Sequence, residues 1–342
     1  MDSAMSVLRA ALVTPLSGPL SGYGRAGAEA LHLWAGWYAG GVELLVFDAH
    51  PDPAAAVRRA ERDRPELLFG PYGTGPTVAV AAATSRLLWN HGGARAGPAD
   101  HLISVLAPAS TYFQGALKVV HEADPEARRV SVLHADSGFG RTVAGGAVRE
   151  AARLGLQATR AVLPAAPVDA EMLLVVGSFA DELAAARQLL PGQWRAAGFV
   201  GAGVEEVLAD LGDRREGLLG PAQWHPSAAP CPDVGPSAAE FVAAYRRRAG
   251  TGPPYPAAQA FAAGLIAARC VREVGSAEDA PLLAAARLLR CTTMFGQFRL
   301  DPVTLDQVGH RVLTVQWQDG MRRIVAPAER AQTQLRYPLA ST

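Results

Sequence analysis

A chain of 342 residues, 49% hydrophobic and 19% charged, exceeds the usual size of one core and is too apolar for a disordered protein, so two packed domains are expected. Its 32 basic and 32 acidic side chains cancel, and no basic block interleaved with aromatic residues points to a nucleic-acid partner. No apolar run is long enough for a membrane span, and Cys231, Cys270 and Cys291 lack the spacing of metal ligands.

The first apolar run, VLRAALVT (7–14), has no basic segment before it and reads as a strand, not a signal peptide. On that reading the protein is cytoplasmic if the sequence is full length, and periplasmic or otherwise extracytoplasmic if it is a trimmed form. GYGRAG (22–27) then matches the dinucleotide spacing G-x-G-x-x-G, with a helical stretch at 26–38 and Asp48 about twenty residues on, where a ribose-binding acid would stand. The fingerprint requires a tight turn directly off the strand. Residues 15–21, with two prolines, intervene, which disfavours a dinucleotide.

VELLVFDA (42–49) is a strand, AAAVRRAERD (54–63) a helix and ELLFG (66–70) a strand. The loop that follows, within LLFGPYGTGPT (67–77), has Gly70 and Gly75 at Walker separation, but Pro76 occupies the lysine position. No cation lies between Arg64 and Arg86, so a polyphosphate would go unneutralised. Two readings stand: a small anion such as a carboxylate held by Thr74 and neighbouring N–H groups, or a turn whose glycines serve geometry alone.

Further along, helices are expected at 77–87, 114–123, 141–155 and 181–190, and strands at 87–90, 101–106, 129–135, 171–178 and 196–202. Segments 92–100 and 225–238 read as linkers. Three amphipathic helices follow at 237–250, 257–275 and 280–291. The tail, 296–327, alternates like a β-meander with turns at Asp301-Pro302 and Asp319-Gly320. Two series of alternating strands and helices predict an α/β protein of two doubly wound parallel-sheet lobes. No G-x-S-x-G, H-E-x-x-H or C-x-x-C motif is present, and His91, His134 and His225 read as structural hydrogen-bonders, so neither an enzyme, a metal site nor a cofactor is expected.

The blocks LVTPLSGPLSGYGRAGAEALHLW, LLVFDAHPDPAAAVRRA, LLFGPYGTGPT, RVSVLHADSGFGRTVAGGAVREAARLGL and YPAAQAFAAG, with the tail FGQFRLDPVTLDQVGHRVLTVQWQDGMRRIV, resemble in order and spacing the type I periplasmic binding proteins. The nearest group is the leucine/isoleucine/valine-binding solute receptors of ABC transporters. The resemblance implies two lobes, 1–112 with 236–306 and 113–235 with 307–342, joined by a three-strand hinge with a ligand cleft between them. It implies a non-enzymatic protein that closes on a small molecule bearing a carboxylate or amide.

By the same resemblance Thr74 supplies a hydroxyl to the ligand carboxylate, flanked by Tyr72 and Gly73, and Tyr23 walls the pocket. Asn90, His91, Gly92 and Gly93 form the next strand-end loop. Phe139, Ser178 and Phe179 come from the second lobe and Tyr255 from a first-lobe helix. Receptors for amino acids carry an acid for the ligand ammonium in the loop matching GAGVEEV (201–207). Gly203 stands at that position here, with Glu205 and Glu206 following. A buried ammonium without a partner is costly, so aromatic or aliphatic carboxylates and small amides join the candidate ligands. Two roles follow: delivery of a solute to an ABC permease, or a cytoplasmic sensor of the same fold that regulates a partner protein.

Overall fold

The computed structural model describes residues 7–94, 99–167, 169–204 and 206–339. The linker residues 95–98 and Glu205 therefore lie outside the described residues. The chain forms two compact units, Met1–Pro108 with Trp224–Arg311 and Ala109–Gln223 with Val312–Thr342.

The first unit begins β1 (Leu8–Thr14), α1 (Ser21–Trp37), β2 (Val42–Asp48), α2 (Pro53–Arg62), β3 (Leu67–Phe69), α3 (Thr74–Ala83), β4 (Leu88–Asn90) and β5 (Leu102–Ser104). The strands pair in the order β2-β1-β3-β4-β5, all parallel, with Leu12 opposite Val46 and Phe69. Alternation along each strand builds two cores. Leu8, Ala10, Leu12, Leu67, Phe69 and Trp89 enter one. Ala11, Val13, Leu68 and Leu88 enter the other, under Ala56, Val57 and Ala60 of α2 and Val80 of α3. Burial on both faces explains why the central strands read as nearly continuous apolar runs.

The second unit carries α4 (Gln114–Ala123), β6 (Arg129–His134), α5 (Gly138–Arg153), β7 (Gln157–Val162), β8 (Met172–Val176), α6 (Phe179–Leu189), β9 (Ala196–Phe199) and β10 (Leu219–Ala222). The chain then returns to the first unit as α7 (Ala238–Ala249), α8 (Tyr255–Val274), α9 (Asp279–Leu288), β11 (Cys291–Thr292) and β12 (Gln297–Phe298). Helix α8 is alanine-rich and almost wholly buried, and it packs along α1. A Cβ on Gly264 would lie 2.5 Å from the Trp34 ring, so only glycine permits the close approach of these helices.

The second unit ends with β13 (Leu313–Gln318) and β14 (Met321–Ala326), completing a seven-stranded sheet in the order β14-β13-β10-β9-β8-β6-β7. Strands β6 to β10 run parallel to one another, and β13 is antiparallel to both β10 and β14. Helix α6 backs a core of Leu133, Leu173, Val175, Phe199 and Trp317. Past β14 an extended segment is tied down by side-chain amides. Gln316 Nε2 donates to Arg336 O (2.9 Å), Gln318 Nε2 to Gln334 O (2.9 Å), and Gln316 Oε1 accepts from Arg336 N–H (2.9 Å).

Three sequence expectations change. The tail is not one meander: it splits into hairpins β11/β12 and β13/β14 in different units. Between them Gln307 Oε1 accepts from the backbone N–H groups of Arg299, Gly309 and His310 (3.3, 2.7 and 3.2 Å) and occupies groups a ladder would use. Strands β7 and β10 were not foreseen. QATRAV is a half-exposed edge strand, and LGPA carries the two residues least suited to strands. Residues 224–235 and 307–311, expected in the second lobe, lie in the first unit, and 109–112, expected in the first lobe, lie in the second. Trp224 Nε1 donates to Met294 O (3.0 Å) and its ring meets Phe241 edge-on.

Candidate ligand-binding site

Strand β3 leads into the loop Gly70–Gly73. Gly70 (φ +126°) passes so close to β1 that a Cβ would sit 2.0 Å from Val13 O, and Gly73 (φ +96°) is the residue before α3. Helix α3 therefore starts at Thr74, earlier than its apolar pattern suggests, with no side-chain cap. Thr77 N–H and Thr77 Oγ1 both return to Gly73 O (3.0 and 2.9 Å), fixing the turn. Pro76 has no N–H. The Thr74 and Gly75 amides and the half-buried Thr74 hydroxyl take no hydrogen-bond partner among the described residues. Free N–H groups at a helix start, at the positive end of the helix dipole, suit an anion.

Three tyrosines converge beside this turn. Tyr72, bridged in parallel to Gly92, stacks on Tyr23 of the first turn of α1, with centroids 4.9 Å apart and planes at 19°. Tyr255, the first residue of α8, tilts against both at 6.4 and 6.3 Å, and its hydroxyl shares a hydrogen bond with that of Tyr72. Two helix starts and one strand exit thus build an aromatic wall next to Thr74.

The neighbouring loop is more structural than its polarity implies. Asn90 is fully buried, and its Nδ2 donates to Gly93 O (2.7 Å) and Ser104 Oγ (2.9 Å) while Oδ1 accepts from Gly93 N–H (3.0 Å). Its side chain shapes the loop. Gly92 and Gly93 are forced: a Cβ on the first would meet Tyr72 Cα at 2.8 Å, on the second Thr77 Oγ1 at 1.7 Å. His91 is fully buried against Gly27, and neither ring nitrogen has a partner among the described residues. Burial pushes its pKa down to about 4, so the ring is neutral at pH 7.

The dinucleotide-like glycines are helical. Gly24 and Gly27 lie inside α1, where a Cβ on Gly24 would strike Pro15 O at 1.8 Å. Asp48 anchors the preceding loop instead of a ribose, accepting from Leu16 N–H (2.8 Å), His50 N–H (2.9 Å) and the Ser17 hydroxyl (2.6 Å). Burial pushes its carboxyl up, but the bonds from Ser17, His50 and Leu16 outweigh it and hold it at about 2.

In the second unit Phe139 lies in the first turn of α5, half-buried, with its ring edge-on to Tyr112 at 5.9 Å. Ser178 caps α6 in a reciprocal box: its Oγ accepts from Asp181 N–H (3.2 Å), and Asp181 Oδ2 accepts from Ser178 N–H (3.0 Å). Phe179 is the next residue. Gly203 is buried, and a Cβ there would fall 1.7 Å from Pro221 O, so the backbone itself bars an acid at this point. Glu206 is exposed.

Glu182 escaped the sequence reading. It is fully buried, Oε1 accepting from Gly177 N–H (3.2 Å) at the exit of β8 and Oε2 from Gly201 N–H (2.6 Å) at the exit of β9. Burial pushes its carboxyl up to about 8, against the pull of both amides, and Asp181 adds to the rise. The available signal was a charged residue on the face of α6 that also carries Ala185 and Ala186. Among the described residues no group of His, Cys, Asp and Glu gathers as a metal site, and no helix is long and apolar enough to cross a membrane.

Comparison with known proteins agrees with this architecture. A leucine-binding protein from Thermotoga maritima superposes with a TM-score of 0.75 at 19% identity, covering 94% of this chain and 98% of its own. A solute-binding protein of an ABC transporter from Rhodopseudomonas palustris, in complex with 3,4-dihydroxybenzoic acid, gives 0.73 at 17% identity, covering 92% and 95%. A second from R. palustris, in complex with benzoate, gives 0.73 at 14% identity, covering 94% and 96%. Residues 7–321 match the family model for periplasmic binding proteins. With nearly its whole length inside that match and parallel-sheet lobes of the type I fold, the chain belongs to the periplasmic binding protein family.

Proposed function

We propose that the chain is a non-enzymatic solute receptor whose ligand is a carboxylate lacking an α-ammonium group, delivered to an ABC permease. The observation that carries this reading is the uncapped start of α3. Among the described residues Thr74 Oγ1 and the Thr74 and Gly75 amides take no hydrogen-bond partner there, beside the wall of Tyr23, Tyr72 and Tyr255. A flat aromatic acid suits both parts: its carboxylate meets the helix start and its ring a tyrosine face. Solute-binding neighbours complexed with benzoate and dihydroxybenzoate support that class. The lack of room for an acid at Gly203 argues against leucine, isoleucine and valine. Phe139 and Phe179 are the further ligand contacts we assign in the second unit, whereas Asn90 and Ser178 act through the loop and cap they hold.

Calorimetric titration with benzoate and with leucine tests this. Benzoate is expected to bind the wild type, and Thr74→Val to weaken it by about 1–3 kcal/mol, the loss of one charge-assisted hydrogen bond. Unchanged benzoate affinity in the variant removes Thr74 from the site. Submicromolar leucine binding overturns the ligand class.

We further infer that binding closes one unit on the other about the three points where the chain passes between them. A ligand held from both sides only in the closed form binds that form more tightly than the open one, which a population shift requires. Solution scattering is expected to give a smaller radius of gyration at saturating benzoate. An identical profile with benzoate bound rejects closure.

A further inference from the structure

We propose that Glu182 is a positioning residue whose carboxyl ties the exits of β8 and β9 to one another and sets the backbone that the second unit presents at the carboxyl ends of its strands. The proposal rests on reading those exits as ligand-facing, as open parallel sheets generally use them. Consecutive parallel strands joined through a helix share no turn, and their exits have no intrinsic reason to hold a fixed offset past the last ladder bond. Here one side chain supplies that offset. The Ser178–Asp181 box fixes where α6 begins, and Glu182, one residue further on, reaches both Gly177 N–H and Gly201 N–H.

The neighbours are fitted to this. A Cβ on Gly201 would lie 2.9 Å from Glu182 Oε2 and 2.5 Å from Val207 Cγ1, and one on Gly177 2.8 Å from Asp181 Cβ. Gly201 must therefore be glycine for the carboxyl to approach, and Gly177 for the Asp181 cap to seat beside it. Two amides in different loops need two acceptor oxygens on one group of this reach. Glutamine offers one oxygen and an NH2 that opposes the second amide, whereas a carboxyl keeps lone pairs on both oxygens whether or not one carries the proton, and aspartate is a methylene short. The exits so joined carry Ser178 and Phe179 on one side and the turn Val200–Gly203 on the other.

The test compares amide hydrogen exchange in the full-length wild type and Glu182→Gln by NMR, with benzoate affinity measured on the same samples. The glutamine variant keeps the volume and one acceptor, so it holds the fold where Glu182→Ala would leave a cavity. Expected is exchange about tenfold faster or more at Gly177 or Gly201, the change one lost hydrogen bond carries, with the centres of β6 and β8 unchanged. Benzoate affinity is expected to fall alongside. Wild-type exchange at both glycines overturns the tie. Faster exchange spread evenly over β8 and α6 shows a general stabiliser instead. A released exit with wild-type benzoate affinity overturns the positioning role. Failure of the wild type to bind benzoate counts against the ligand reading, while the exchange data still decide the tie.

Discussion

Gly203→Asp is expected to cost the protein about 3 kcal/mol or more of stability and to give no leucine binding. The substitution restores, on paper, the acid that amino-acid receptors use. Space forbids it. The added Cβ would lie 1.7 Å from Pro221 O and 2.6 Å from Pro221 C, and a Cβ on Gly220 would lie 2.3 Å from Gly203 N, so two backbones are in contact here with no side chain to rotate away. Overpacking a rigid site costs about 1–3 kcal/mol and at times more. A carboxylate forced in beside a carbonyl oxygen in a buried turn adds the penalty of an unpaired charge. Against a total stability of about 5–15 kcal/mol, much of the second unit's margin goes. Urea midpoints measure this, and a variant within about 1 kcal/mol of the wild type, or one binding leucine, contradicts it.

Between pH 6.5 and 8 the wild type is expected to lose stability steadily while Glu182→Gln stays nearly level. The folded protein raises the Glu182 carboxyl from 4.5 to about 8. Its contribution is full below pH 4.5 and is lost as pH rises through about 8, because the unfolded chain releases the proton first. His91 acts in the opposite sense: its pKa falls from 6.5 to about 4, so its contribution is full above 6.5 and is lost as pH drops toward 4. The half-exposed His32 is also lowered, first by burial and then by Arg248. The lowered carboxyls, Asp48 among them, act below the range of interest, and the raised Tyr and Cys groups above it. Glu182 and His91 oppose each other between pH 4.5 and 6.5, which leaves 6.5 to 8 to Glu182. Urea unfolding followed by tryptophan fluorescence includes the core where Glu182 sits, through Trp194 and Trp317, along with Trp34, Trp89 and Trp224 of the first unit, so the wild-type profile is read against that of Glu182→Gln. A wild-type profile that is flat or rises over that interval contradicts the assignment.

Much of the frame was readable because its physics is local. MLLVV is apolar throughout and LRAALVT is interrupted only by Arg9 before its terminal Thr14, as a sheet covered on both faces requires, and Pro76 in the lysine position removed the nucleotide reading. The failures were long-range. The helix was expected only from 26 because the glycines of GYGRAG weaken a helix, whereas α1 starts at Ser21, and Gly24 admits Pro15 and Gly27 admits His91 against it. Asn90 was read as a ligand group, and one partner of its side chain, Ser104, becomes a neighbour only when β4 and β5 pair. The missing acid at Gly203 was visible, but the reason, Pro221 O, comes from a strand that LGPA does not announce. Glu182 was hidden because a glutamate early in a helix ordinarily faces water.

The burial of α8 against the first unit's sheet has a consequence for biosynthesis. Strands β1 to β5 have all been made by Ser104, yet α8, which with α1 completes the core on their larger apolar face, ends only at Val274. At roughly 5–20 residues per second, the ribosome takes on the order of 10–30 s over that interval. During it Leu12, Phe69 and Trp89 have α1 beside them but lack the α8 part of their core, while the whole central part of the second unit emerges. The first unit therefore cannot finish folding before most of the second has been synthesised. In the cell this chain should consequently depend on factors that shield nascent apolar surface more than a protein whose domains are contiguous in sequence.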